Sequence, residues 1–456
     1  MTHTITIIGG GASGTLLAIQ LLRQAQQPLH IYLVEQNGAV GRGVAYGTQS
    51  EVHRLNVPAN NMSAYPDQPS HFHEWLDAQG YAYAANEFVP RMIYAKYLRA
   101  QLDETIAAHP GAIELIHDQA IDMEITPPAS SLQDAGSPAH EAIPVLVALA
   151  SGRTLSSQQA VLAFGNFLPP QPRFLGAQAA AAPKYFGNPW QADLASRIAP
   201  QDRVLVIGMG LTAVDTLLSL HAQQYQGALY AISTHGWWPA VHKLGHSYAD
   251  FSAELASCTT AAQMLAVVRR HLRAAEAQGS NWRAVIDSLR PSTQALWQQL
   301  PPAEKQRFMR HLRRLWDVSR HRMPPECAGV LDAMHSTSQL HSLAGRISEI
   351  SVAEDTFQVV YHNRNGVQQL SVDAVINCMG SESTLARLDS PLVQNLLSKQ
   401  LIQPDALHQG MAAQADGMLG PRLYTLGTAL KGILWESTAM PEIRAQAQQL
   451  ASLLLS

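Results

Sequence analysis

The residues best suited to chemistry lie in two glycine-rich turns, Gly9-Gly10-Gly11-Ala12-Ser13-Gly14 near the N-terminus and Gly208-Met209-Gly210-Leu211-Thr212-Ala213 near the middle. Each follows a short β-branched run and precedes an apolar helical pattern, so each marks a strand giving way to a helix. Such a turn presents bare backbone N–H groups and the positive end of a helix dipole, which together hold a pyrophosphate. Gly9 and Gly208 allow the turn, Gly11 and Gly210 let phosphates approach, and Gly14 lets helix and strand pack closely. Ala213 still meets that last need, and Thr212 stands in the first helical turn. Two such turns imply two dinucleotides in one molecule.

The flanking elements support this reading. Ile5 to Ile8 reads as a buried parallel strand, Thr15 to Gln24 as a helix, and His30 to Val34 as a second strand ending in Glu35. That acid falls about twenty residues beyond Gly14, where such folds set a carboxylate on an adenosine ribose. At the second turn Val204 to Ile207 is the strand, Leu211 to His221 the helix, and Ala228 to Ile232 the next strand. It ends in Ser233-Thr234-His235, without the arginine that commonly grips a 2′-phosphate, so Ser233 and His235 become the candidate contacts to the second ribose.

With 456 residues, 46% hydrophobic and 14% charged, the chain can bury a large core divided among two or three domains. A net charge of −4 gives no global field favouring nucleic acid or membrane. The first strand starts almost at Met1 and no apolar run is long enough to span a bilayer, so a cytoplasmic location is expected. Cys258, Cys327 and Cys378 form no CxxC pair, which argues against flavin disulfide reductases. The 19 histidines include His71 and His73, and His235, His242 and His246, but no ligand spacing among them predicts a metal.

The predicted class is α/β, with two Rossmann-like dinucleotide-binding domains, the second nested in the first, and an inserted helical subdomain. Residues 1–195 and 373–456 are assigned to the first domain, 196–248 and 336–372 to the second, and 249–335 to the insert. An Ala, Ser and Pro-rich stretch at 127–144 reads as a loop, and the insert breaks at Gly279, Pro291 and Pro301-Pro302. Val359 to Tyr361, Ala374 to Cys378 and Leu423 to Gly427 read as later strands, the second of them, ending in Met379-Gly380, as the re-entry into the first domain. The insert carries Lys305, Arg307, Arg310, Arg313, Arg314, Arg320 and Arg322. They read as solvated helix faces or, alternatively, as grips for a coenzyme phosphate or an anionic substrate, with Arg320-His321-Arg322 the best candidates for the second role.

The phrases GRGVAYG (Gly41 to Gly47), LNVPANNMSAY (Leu55 to Tyr65), HFHEWL (His71 to Leu76), FVPRMIYAKYL (Phe88 to Leu98), RHRMPP (Arg320 to Pro325), VINCMG (Val375 to Gly380) and WESTAMPEIRAQA (Trp435 to Ala447) resemble a bacterial family of FAD/NAD(P)-binding proteins. That family is distantly similar to the ornithine and lysine N-hydroxylases and other two-dinucleotide flavin monooxygenases. The resemblance implies FAD on Gly9, Gly11, Gly14 and Glu35, with Arg42 at its phosphates and Asn56, Val57 and Pro58 approaching the isoalloxazine. It implies Asn60, Asn61 and Met62 near the active face and NADPH or NADH on the second turn, and Gly380 is counted among the cofactor contacts. Gly427 stands where related reductases carry a glycine before an aspartate; here Thr428 follows, and its hydroxyl can substitute.

The expected reaction is hydride transfer from NAD(P)H to FAD, then oxidation of a small amine or hydroxylamine by molecular oxygen through a C4a-hydroperoxyflavin. No FxGxxxHxxxWP pattern marks Baeyer-Villiger chemistry. Two alternatives stand beside this: an NAD(P)H dehydrogenase serving a quinone or protein acceptor, and a non-catalytic flavin-binding redox sensor. A small-molecule substrate and oxygen are the expected partners, a homo-oligomer is allowed, and neither nucleic acid nor membrane is expected.

Overall fold

A computed structural model describes residues 2–125, 144–243, 245 and 247–456. The loop expected at 127–144 falls almost wholly outside them, as does His246. β1 (His3–Ile8) leads through the first glycine turn into α1 (Ala12–Gln24), and the chain returns as β2 (Leu29–Val34). β2 lies parallel to β1 with Val34 opposite Ile8, and β3 (Gln159–Leu162) lies on the other side with Leu162 opposite Ile8. Three more strands complete a six-stranded sheet: Ile113–Ile116 beyond β2, and Leu423–Thr425 then Met418–Gly420 beyond β3. Ile5, Ile7, Ile31 and Leu33 are fully buried, as expected of parallel strands covered on both faces.

The second unit repeats the pattern with β4 (Val204–Ile207), α2 (Leu211–Ala222) and β5 (Leu229–Ser233). From β5 the chain enters seven α-helices before the next strand, among the described residues, the sixth being α3 (Arg313–Arg320). Their ends match the expected breaks. Gly279, at φ +70°, follows Ala261–Ala277, and prolines stand in the first turns of Pro302–His311 and Pro325–Ser336. The chain returns as Leu340–Ala344 beside β5, and a three-stranded antiparallel sheet (346–372) holds the expected strand at Val359 to Tyr361.

The two domain boundaries move. β6 (Ala374–Asn377) pairs in parallel with β4, Ala374 opposite Val204, so it belongs to the second sheet rather than re-entering the first. Tyr185–Phe186 forms the outer edge of that same sheet beside β6, so the second unit also recruits residues before 196. Both segments are apolar and short, and in sequence alone nothing tells which of two parallel sheets they join. The chain closes with α4 (Met440–Leu455), packed along α1.

The outgoing and returning connections between the two units run side by side. Phe167 N–H donates to Ser381 Oγ at 2.8 Å, Glu382 N–H to the Leu168 carbonyl at 3.1 Å, and Asn377 Nδ2 to the Pro170 carbonyl at 2.9 Å.

Candidate cofactor and active site

In the first turn Gly9 has φ +109°, and a Cβ there would collide with the Ala163 carbonyl, which follows β3. A Cβ at Gly14 would collide with the Gly9 carbonyl, which fixes how closely α1 lies on β1. Gly11 differs from both. Its φ of −67° suits any residue, and the nearest atom to an added Cβ is Gly43 Cα at 3.5 Å. The fold leaves that space for something else. No side chain caps α1, whose first turn carries no acid, so its leading N–H groups are available to an anion.

A cleft of about 1290 Å³ opens over this turn, lined among others by Gly9, Gly11, Glu35, Arg42 and Thr428. That volume exceeds a typical small-ligand pocket and suits a dinucleotide. Glu35 is buried with Oε2 accepting the Gly10 N–H and Oε1 the Asn37 N–H, each at 2.9 Å, so its carboxylate is held at the cleft wall. Arg42 is exposed in the cleft, with no acid within ion-pair reach among the described residues. Thr428 Oγ1 donates to the Gly165 carbonyl, and Gly427, at φ +75°, sits close enough over Ser13 that a Cβ would come within 2.9 Å of its Oγ.

The second turn repeats the geometry. Gly208 has φ +105°, and a Cβ there would collide with the Cys378 carbonyl, just beyond β6. Gly210 has φ −96° and open space around its missing Cβ, and α2 also starts without a side-chain cap or a first-turn acid. Thr212 lies in that turn, its carbonyl accepting from Thr216 Oγ1 at 2.9 Å. Ser233 Oγ accepts the Gly236 N–H at 3.0 Å, and exposed His235 stacks on Trp237 at 4.8 Å. Gly380, at φ +94°, stands in open space past β6.

Residues 6–167 match a family model described as FAD-NAD(P)-binding. This region is an FAD-NAD(P)-binding domain. The chain is 24% identical over 258 residues to an L-aspartate N-monooxygenase (nitrosuccinate-forming) of Streptomyces davaonensis, spanning 48% of this chain and 38% of that protein's length. A cadaverine monooxygenase structure from Erwinia amylovora superposes with a TM-score of 0.67 at 12% identity, over 100% of this chain and 94% of that one. An ornithine N-hydroxylase from Kutzneria sp. 744 superposes with 0.64 at 13% identity, over 100% and 99%. The resemblance carried by the sequence phrases, the α/β two-dinucleotide class and the cofactors FAD and NAD(P)H are thereby borne out. Around the FAD-NAD(P)-binding domain, the whole chain has the fold of those N-hydroxylating enzymes.

Six expected site residues stand outside the cleft lining. Asn60 and Asn61 are exposed on a one-turn 3-10 helix, and Met62 is packed in the core with Leu55 and Tyr65; none of them lines the cleft. The turn after Pro58 swings the asparagines to solvent. Asn56 and the partly buried Val57 also lie outside the cleft lining; Asn56 gives its carbonyl to His242 Nε2 at 2.9 Å. Arg322 is 3% exposed and bound in a fork to Asp287 at 2.8 and 2.9 Å, above Trp282. Its donors are committed inside the insert, so it is a brace there rather than a catalytic group.

Two polar clusters escaped the sequence reading because their members come from distant segments. Arg91 Nη1 meets Asp215 Oδ2 of α2 at 2.7 Å, and the imidazole of His53 reaches Ser219 Oγ at 2.7 Å. Burial holds the Asp215 carboxyl above its ordinary value and His53 below its own, so the imidazole is neutral at pH 7. This cluster seats α2 against the first unit at the cleft, which His53, Thr216 and Ser219 line. In the second cluster, Arg290 forks onto Glu442 at 2.8 and 3.0 Å, and Trp316 Nε1 donates to Glu436 at 2.8 Å. Arg320 approaches Glu436 and Glu442 only to 3.7 and 3.8 Å, leaving its buried Nε and Nη2 without a hydrogen-bond partner among the described residues; Ser437 Oγ is likewise unpartnered.

Proposed function

We propose that this protein is an FAD-dependent, NAD(P)H-consuming monooxygenase that oxidises the nitrogen of a small amine or hydroxylamine. The observation carrying this reading is the paired cradle: Gly11 and Gly210 are glycines that their own backbone conformation and surroundings do not require, so a ligand explains them. Gly11, Glu35, Arg42 and Thr428 would hold FAD, and Gly210 and Thr212 the nicotinamide coenzyme. When bound, the flavin supplies acceptance of hydride from the coenzyme and activation of oxygen.

The chain's own part is orientation, charge and exclusion of water. The N-terminal end of α4 carries no side-chain cap, and Thr438 just before it lines the cleft, so a positive dipole end stands at the cleft wall. Immediately upstream and outside the cleft lining, the insert meets Glu436 through Trp316 and Arg320. The unpartnered donors there suit a small polar substrate, and burial favours the neutral amine that nitrogen oxidation requires. None of the cysteines lines the cleft, and burial pushes the Cys327 and Cys378 thiols up to about 12, which speaks against thiol chemistry there. Oxygen uptake stimulated by small amines or hydroxylamine, with hydrogen peroxide measured in parallel, tests the reading. Uptake matched by an oxidised nitrogen product supports it; turnover only with quinones or a protein acceptor replaces it with the dehydrogenase reading.

A further inference from the structure

The helical insert sends one cation to the second glycine turn. Arg314, in the first turn of α3, places Nη2 at 3.3 Å from the Met209 carbonyl and hydrogen-bonded to the Trp237 carbonyl. Met209 lies between Gly208 and Gly210, and Trp237 lies in the loop leaving β5. The guanidinium therefore spans the turn and the strand end. Its Nε and Nη1 make no hydrogen bond among the described residues, and no carboxylate there lies within ion-pair distance. Asp317, one helical turn on, pairs instead with Arg313 at 3.6 Å. Arg314 is half-buried, and that burial lowers its pKa from the ordinary arginine value. A partly desolvated cation with free donors, whose nearest acid Asp317 is paired with Arg313, is a site for an anion.

The neighbouring residues identify the anion. In the first unit Glu35 follows the residue opposite Ile8 and takes the Gly10 N–H, the place where a ribose hydroxyl meets a carboxylate. In the second unit Ser233 follows Ile232, the residue opposite Ile207, and its hydroxyl faces Met209 Sδ at 3.4 Å. The ribose-reading carboxylate is thus replaced by a small neutral hydroxyl, with Arg314 beside it. We propose that Arg314, reaching in from the helical insert, binds the 2′-phosphate of NADP(H) and sets the coenzyme preference of this protein. The pyrophosphate belongs further along, at Gly210 and the start of α2. This assignment rests on the second turn holding a nicotinamide coenzyme, and not on the oxygen chemistry.

The test is equilibrium binding to the full-length, FAD-loaded protein, followed by calorimetry or by quenching of tryptophan fluorescence, with NADP+ and NAD+ titrated separately. Wild type should prefer NADP+. Arg314→Gln should weaken NADP+ about 30-fold or more and NAD+ by less than about threefold, with Arg314→Lys between them, lacking the planar fork. Equal loss of both coenzymes would move the arginine to the pyrophosphate and overturn the assignment, as would a variant that still prefers NADP+. Should Arg314→Gln not fold, competition by adenosine 2′,5′-bisphosphate against ADP on wild type decides: equal competition overturns the proposal, and a strong preference for the bisphosphate upholds it. Because binding is read without turnover, a protein that fails to oxidise amines leaves this result standing.

Discussion

The two glycine turns share a backbone and differ in what surrounds it. In each, the first glycine lies under a carbonyl just beyond a neighbouring strand, Ala163 after β3 over Gly9 and Cys378 after β6 over Gly208, and the glycine before the helix has room for a side chain, Gly11 at ordinary contact with Gly43 and Gly210 in open space. The difference lies in the middle residue. Gly10 leaves no room for a side chain, since a Cβ would come within 2.8 Å of Glu35 Cβ, and so the acid comes close. Met209 fills the equivalent place, is 1% exposed, and faces Ser233. Under the proposed function, the shared positions would take the phosphates, while the middle residue decides whether an acid or the Ser233 hydroxyl stands beside the turn.

Breaking the shared positions should produce the largest effects. Gly9→Ala places a methyl against backbone at a left-handed φ, and at least about 3 kcal/mol of stability should be lost, seen as a steep fall in Tm or in soluble yield. A stable Gly9→Ala protein would show that the first turn differs from the one described. The seam between the units comes next. Burial pushes the His242 imidazole down to about 4 while it donates to the Asn56 carbonyl. The unfolded chain takes up that proton near pH 6.5, so the contribution is complete above 6.5 and is lost as pH falls towards 4, by up to about 3 kcal/mol. Thermal melts should therefore decline less steeply over that range in His242→Gln than in wild type.

Smaller effects separate binding from folding. Gly11→Ala should melt like wild type yet be purified colourless, with FAD weakened about 100-fold, because within the protein its methyl meets only Gly43, at ordinary contact distance, and otherwise the ligand; a yellow variant would remove the FAD assignment from this turn. Gly210→Ala should remain yellow while flavin reduction by coenzyme slows about tenfold, and an unchanged rate would detach the second turn from the coenzyme. The smallest effect is expected for His235→Arg, a few-fold gain in the NADPH to NADH ratio.

The turns, their strands and Glu35 were legible because a strand–turn–helix unit is local: spacing and residue type within about thirty residues determine it. The helical insert was legible for the same reason, its proline and Gly279 breaks being punctuation within the chain. What was not legible was partnership across distance. β6 and Tyr185–Phe186 look alike in either sheet, and only their pairing with β4 and with each other decides. Arg322 looks like its neighbours until Asp287 is found beside it, whereas Arg314, one of seven cations between Lys305 and Arg322, gains meaning only from Met209 and Trp237.

The paired connectors at Phe167 to Pro170 and Asn377 to Glu382 have a mechanical consequence. They are stitched to each other, they are the two places where the backbone passes between the units, and Phe164 to Gln171 with Glu382 also form part of the cleft wall. Any shift of one unit against the other would therefore also displace the wall of the cleft.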